Sequence, residues 1–374
     1  MLMWYIIFVL LIASTVCGLL YLGNHISKFS LIAKLGRGKE WRSWLAGFAI
    51  VAAVFGLLAW GLNLMNAVVC LLHFVCIWLL CDLVFAVIKR IRKKDFAHYY
   101  AGTAAVVLSL GTLLAGWYLD HHVSAVFYTI ETEKDVPELR IIQFADSHIG
   151  TTFSGKDFAK HVAAMQAHNP DAVVIVGDFV DDGTTRAEME AATAALKQFV
   201  TPQGVYFVFG NHDKGYHNPA LRGFTGSDLV RELKANNVTV LQDENVLLQN
   251  AFYIIGRNDS SEFMRGGRRE SMQQLTKDLD RSKFAVVLDH QPNDYQNQAQ
   301  SGVDLVLSGH THGGQLFPLN KVGEWIGAND RTYGHERRGL TDFIVTSGIS
   351  DWALKFKTGT KSEFVVIDIK KKAK

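Results

Sequence analysis

Four apolar runs before residue 120 constrain this chain more than any other feature of its sequence. Residues 1–22, 44–65 and 99–119 contain no charged side chain, and residues 67–88 contain only Asp82. Each run is about 20 residues long, the length a helix needs to cross ~30 Å of hydrocarbon. Buried helices of a soluble domain would carry polar faces, which these runs lack. Residues 1–119 are therefore expected to form a bundle of four transmembrane helices. The first run has no basic residues ahead of it and no small-x-small site after it, so it reads as a retained helix rather than a cleaved signal.

The connecting loops give an orientation. Residues 23–43 carry Lys28, Lys34, Arg37, Lys39 and Arg42, and residues 89–98 carry Lys89, Arg90, Arg92, Lys93 and Lys94. The link between the second and third runs carries neither Lys nor Arg. Basic loops stay cytoplasmic, which places the N-terminus and everything after Leu119 outside. The expected localisation is the cell membrane, multi-pass, with an extracytoplasmic C-terminal part. Asp82 reads as an acid near the cytoplasmic end that faces the bundle or pairs with a loop cation. Ten Lys/Arg against three acids give residues 1–119 a net charge of +7, leaving −5 for residues 120–374 and +2 overall. The basic excess is thus a topology signal, and no nucleic-acid partner is expected. All four Cys lie in the apolar runs, so no disulfide scaffold is expected.

Beyond an expected linker at 120–138, residues 139–374 alternate short β-rich runs with amphipathic patterns, as in a layered α/β domain. Strands are expected at 140–145, 172–176, 205–209, 252–255, 284–288, 305–307, 343–346 and 364–369, and helices at 156–168, 185–200, 227–236 and 269–279. Thr184 or Thr185 with Glu188 suggests a capping box on the second helix. Five of the strands run into polar clusters: Asp146-Ser147-His148, Gly177-Asp178, Gly210-Asn211-His212-Asp213, Asp289-His290 and Gly309-His310-Thr311-His312. Ligands of α/β folds bind outside the carboxyl ends of strands, so these clusters should converge on one crevice.

Imidazole, carboxylate and one Asn amide, with no Cys, suit Zn, Mn or Fe. The set is too large for one tetrahedral ion and sufficient for two. Two ions about 3.5–4 Å apart can activate a bridging water and clamp a phosphoryl group. The series Asp146-x-His148, Gly177-Asp178-x-x-Asp181, Gly210-Asn211-His212-Asp213, His290, Gly309-His310-Thr311-His312 resembles the calcineurin-like metallophosphoesterase superfamily, in its membrane-associated branch. The four-helix region lies outside the resemblance.

The resemblance implies a four-layer αββα sandwich that binds two divalent metal ions. Asp146, His148 and His312 would hold the first ion, Asn211, His290 and His310 the second, and Asp178 would bridge them. His212 would sit near the leaving-group oxygen, with Asp213 fixing its ring, and Asp181 would support the ligands through hydrogen bonds. The activity implied is hydrolysis of a phosphoric ester, a phosphodiester or lipid-linked pyrophosphate, by a metal-bridging hydroxide. A substrate in the bilayer would explain the membrane anchor. The alternative is a non-catalytic membrane scaffold or sensor on the same fold. Arg257, leaving a strand in a basic loop with Arg265, Arg268 and Arg269, is the candidate substrate-binding residue, because guanidinium pairs bidentately with phosphate. Lys355 and Lys357 stand where relatives often place Pro and Arg, which bears on substrate preference. His121, His122, His161, His168, His217 and His335 match no block and read as surface or loop residues.

Overall fold

The structure, a computed structural model, describes residues 2–216 and 219–372; His217 lies outside them. The chain divides into two compact units, residues 1–115 and 116–374.

The first unit is helical: Leu2–Ile26 (α1), Ser30–Leu35 (α2), Glu40–Gly61 (α3), Leu64–Arg92 (α4) and Tyr100–His121 (α5), whose last turns group with the second unit. Four of these helices are long and apolar enough to cross a membrane. Most of their large apolar side chains point outward, as in Leu57, Trp60 and Leu114. A small core of Leu22, Val51, Leu71, Trp78, Cys81 and Ala105 joins them. Among the described residues, Asp82 pairs with no loop cation. Its carboxylate accepts from the Tyr21 hydroxyl at 2.9 Å and lies 2.8 Å from His25 Nε2, both on α1.

The second unit is built on two six-stranded sheets. In chain order the strands are Ser124–Thr132 (β1), Leu139–Phe144 (β2), Ala172–Val176 (β3), Val205–Val208 (β4), Val238–Val240 (β5) and Glu244–Leu248 (β6). They continue with Phe252–Gly256 (β7), Phe284–Leu288 (β8), Leu305–Ser308 (β9), Gly334–Arg338 (β10), Thr341–Val345 (β11) and Glu363–Lys371 (β12). One sheet runs β1-β12-β2-β3-β4-β5 and the other β10-β11-β9-β8-β7-β6. Strands β2 to β5 are mutually parallel, as are β7, β8, β9 and β11. The helices are Phe158–Gln166 (α6), Arg186–Leu196 (α7), Pro219–Arg222 (α8), Gly226–Ala235 (α9), Met272–Thr276 (α10), Tyr295–Gln300 (α11) and Val322–Trp325 (α12).

Three apolar clusters define four layers. Ile141, Val174, Phe252, Val286 and Leu307 meet between the sheets. Phe158, Val162, Met189 and Leu229 cover the outer face of the first sheet, and Met272, Leu275 and Tyr295 cover that of the second. Strands buried on both faces carry no polar alternation, which is why β3 and β8 read as unbroken apolar runs. Thr185 caps α7 through the Glu188 N–H, but Glu188 bonds the Gly155 N–H instead of returning to the cap. The reciprocal capping box is on α9, between Thr225 and Asp228.

One boundary is corrected. Residues 120–138, expected to be a linker, contain β1, which pairs in parallel with β12 from Ser124 opposite Glu363 to Thr132 opposite Lys371. Phe127 on this edge strand is largely exposed. Its pairing partner is about 240 residues away, so local pattern carries little signal for it.

Candidate metal centre and active site

The parallel strands aim their carboxyl ends at one crevice, and the ligand-type residues occupy the loops immediately after them. Asp146 and His148 follow β2, Asp178 follows β3, Asn211 and His212 follow β4, His290 follows β8, and His310 and His312 follow β9. Two groups form: Asp146, His148 and His312, and Asp178, His290 and His310. Within each, one donor atom per residue lies within 4.8 Å of the others. Asp178 Oδ2 lies 3.1 Å from His290 Nε2 and 3.7 Å from His148 Nε2, so this carboxylate faces both groups.

The backbone is bent to achieve this. Asp146, His148, Asp178, His310 and His312 all have positive φ, from 36° to 71°. Non-glycine residues pay of order 1–3 kcal/mol for such conformations, which persist where the surroundings over-determine them. Two glycines permit the close approach. A Cβ on Gly177, where φ is 81°, would lie 2.5 Å from His290 Nδ1, and one on Gly309 would lie 2.5 Å from Asp146 Oδ2.

The imidazoles are held by their outward nitrogens. His290 Nδ1 lies 2.8 Å from the Val176 carbonyl oxygen, which fixes the proton on Nδ1 and turns Nε2 inward. His148 Nδ1 lies 3.2 Å from Asp181 Oδ2. His312 Nδ1 faces the Ser350 carbonyl at 3.3 Å and Asp351 Oδ1 at 3.4 Å. A carboxylate or carbonyl behind each ring is the arrangement that orients metal-binding histidines.

The residues fit divalent ions on three counts. Asn211 Oδ1, His148 Nε2 and His290 Nε2 are buried without a hydrogen-bond partner, a costly state that a cation would relieve. Burial lowers the pKa of His310 to about 4 and of His312 to about 3, so both are neutral imidazoles with a lone pair to give. Burial opposes ionisation of Asp178, yet the surrounding His290, His148 and His212 hold its carboxyl far below the usual range. The donor set is oxygen and imidazole nitrogen, suited to Zn, Mn or Fe.

His212 borders a cleft of about 590 Å³ lined by Gly150, Thr151, Asp181, Asp182, Tyr216 and Trp352 among others. Its ring lies 5.0 Å from that of Tyr216 and 5.3 Å from that of Trp352. Its backbone N–H donates to Asp178 Oδ1 at 2.7 Å, tying its position to the shared carboxylate.

Two expected roles are not what the geometry gives. Asp213 does not fix the His212 ring. Its buried carboxylate accepts four backbone N–H groups, from Asp178, Phe179, Val180 and Gly210, and so clamps two ligand loops together. Burial and the Asp178 charge raise its pKa, while the Gly210 and Val180 N–H groups oppose. Arg257 is engaged by carboxylates of its own chain. It is buried, and its Nη1 pairs with Asp289 at 3.1 Å and Asp294 at 2.6 Å. Burial disfavours its charge, but these carboxylates outweigh that and raise its pKa. Arg269 joins the same Asp289, and Arg265 donates to the Asn211 and Gly215 carbonyls. The basic loop is bracing, apart from the exposed Arg268.

Sequence reasoning missed a buried pair behind His312. Lys357 is fully buried, donates to the Ser347 carbonyl at 2.9 Å and lies 3.6 Å from Asp351, itself fully buried. It is a support for the His312 side of the site rather than a substrate contact.

A sequence model of the calcineurin-like phosphoesterase family matches residues 139–314, which contain every residue of both groups. Similarity to a metallophosphoesterase of Aquifex aeolicus is 34% identity over 198 residues, 51% of this chain and 70% of that one. The chain belongs to the calcineurin-like phosphoesterases. Another relative within this family, a metallophosphoesterase of Campylobacter jejuni, is 31% identical over 240 residues, covering 63% of this chain and 60% of its own length. A Danio rerio protein described as a transmembrane protein with metallophosphoesterase domain is 30% identical over 188 residues, 48% of this chain and 42% of that one. The calcineurin-like match begins at β2 and leaves α1 to α5 outside it.

Proposed function

We propose that this calcineurin-like phosphoesterase is a membrane-anchored dimetal hydrolase of phosphoric esters, acting on the extracytoplasmic side. The observation that carries the reading is the Asp178 carboxylate facing two ligand groups, with His212 beside it at the mouth of a cleft. Asp146, His148 and His312 would hold one divalent ion, Asn211, His290 and His310 the other, and Asp178 both. Ions bound there would neutralise phosphoryl charge and lower the pKa of the attacking water.

The chain's own residues do the rest. Burial lowers the His212 pKa while the Asp178 charge opposes it, and the ring is placed to donate an N–H to a substrate oxygen. Tyr216 and Trp352 flank it. Asp181 and Asp351 orient His148 and His312 through their Nδ1 atoms. Anchoring rests on the four apolar helices, and the outward placement of residues after α5 rests on the two basic loops. An anchored domain of this kind suits an ester in the bilayer, such as a phospholipid or a lipid-linked phosphate or pyrophosphate.

The test is hydrolysis of a generic aryl phosphodiester by the full chain in detergent. His212→Ala is expected to lower kcat by about 10²- to 10⁴-fold while bound metal is unchanged. An unchanged rate would remove His212 from the mechanism.

A further inference from the structure

The loop that leaves the metal-ligand residue His312 carries a run of apolar side chains that the protein itself does not cover. Phe317, Leu319, Trp325 and Ile326 are 67%, 60%, 71% and 72% exposed. Scattered exposed apolar residues need no explanation, but four large ones within ten residues do. The segment is not loose. Its polar groups face the protein: Glu324 Oε1 accepts from the Thr332 N–H at 2.7 Å, and the Phe317 N–H donates to Thr358 Oγ1 at 3.2 Å. Asn320 packs against Gly314, so closely that no side chain could replace that glycine's hydrogen. A segment pinned by its polar side that presents its apolar side to the surroundings is amphipathic by construction.

Its position says what covers it. The Gln315 carbonyl accepts from the Thr358 and Gly359 N–H groups at 2.9 and 3.0 Å. The next residue back, Lys357, donates its own N–H to the Gly116 carbonyl at 3.0 Å, and the Ser362 N–H bonds the Leu119 carbonyl at 2.8 Å. The apolar segment is therefore stitched, through residues 357–362, to the last turns of α5. Those turns carry Trp117 and Tyr118, each 55% exposed, the amphipathic rings that settle at a membrane–water interface. Exposed Lys321 lies in the same segment, where an ammonium can meet lipid phosphate. Leu340 lacks this continuity. It is 84% exposed and lies in the β10–β11 turn, at the amino end of β11 and so at the opposite edge of the sheet from the ligand loops.

We infer that residues 316–326 form a lip that dips into the bilayer at the level where α5 leaves it. The occupant of this surface is the lipid leaflet. The lip follows His312 directly, and Gln315 Nε2 reaches the carbonyl of the cleft residue Trp352 at 3.4 Å. Bilayer contact and cleft are thus joined by one short stretch of chain, which sets the ester-cleaving atoms at headgroup height. The inference rests on the reading of α5 as membrane-spanning.

The experiment keeps the two apart. The full chain is made with a photoreactive p-benzoylphenylalanine in place of Phe317, Trp325, Leu340 or Trp117, one at a time, and reconstituted into phosphatidylcholine/phosphatidylglycerol vesicles. After irradiation, lipid adducts are counted by mass spectrometry. Bound metal verifies that each chain is folded, and a chain that fails is replaced by one labelled at Leu319 or Ile326. Adducts at 317 and 325 are expected to match those at 117 and to exceed those at 340 by roughly tenfold. Adducts at 117 with none above the 340 level at 317 and 325 would overturn the lip and leave the anchor standing. Absence of adducts at 117 as well would overturn both.

Discussion

Asp178→Asn is expected to lower turnover of an aryl phosphodiester by at least ~10³-fold, because the charge that lets ions activate water and clamp phosphate is lost at its shared point. The change is small in shape. Asp178 Oδ1 accepts the His212 N–H at 2.7 Å, and an amide oxygen can keep that bond. Oδ2 faces His290 at 3.1 Å and His148 at 3.7 Å, and an amide there cannot serve two cations. The carboxyl is buried and is held ionised by His290, His148 and His212 against the penalty of burial. Metal analysis beside the kinetics should show at least one ion lost. Activity within about tenfold of the parent would show that the carboxylate is not the shared ligand.

Lys357→Met is expected to cost stability first and metal affinity second. Lys357 and Asp351 are both fully buried and 3.6 Å apart. Removing one member of a buried pair leaves an uncompensated charge, worth about 3–5 kcal/mol, or a fall of roughly 10 °C or more in melting temperature for a domain of this size. Burial has already raised Asp351 to about 7, with Lys357 the main opposing charge. Without the ammonium, the buried Asp351 carboxylate loses the counter-charge that keeps it in place behind His312 Nδ1. Losing such an outer support costs about 10- to 100-fold in metal affinity. Adding Asp351→Asn to Lys357→Met should recover most of the stability, since no lone charge remains. A single variant that melts with the parent would contradict the buried-pair account.

The contrast between Asp178 and Lys357 also shows what is legible in such a sequence. The ligand loops could be read because each short Asp/His/Gly block follows an apolar strand, and strand ends are where these folds place chemistry. Strands β3 and β8, buried on both faces, have the boundaries that an unbroken apolar run implies. The edges were less visible. β10 reads Gly-His-Glu-Arg-Arg, with no β-like pattern, and exists because β11 offers it a ladder. β1 depends on β12 at the far end of the chain. Roles decided by distant partners were hidden for the same reason. Asp213 serves backbone N–H groups about 35 residues away, Arg257 is drawn inward by Asp289 and Asp294, and Lys357 is recognisable as buried only once Ser347 and Asp351 surround it. A guanidinium or ammonium near a phosphate site is attractive as a substrate contact until its carboxylate is known.

The proposed hydrolysis requires two divalent ions, held by the Asp146 group and the Asp178 group, with the Asp178 carboxylate facing both. Elemental analysis of the purified full chain, repeated after chelation and after adding back Mn or Zn, tests it most directly. The expected result is two ions per chain, with loss of aryl phosphodiester hydrolysis on stripping and recovery on reloading. A stripped chain that still hydrolyses the ester at the parent rate would contradict it.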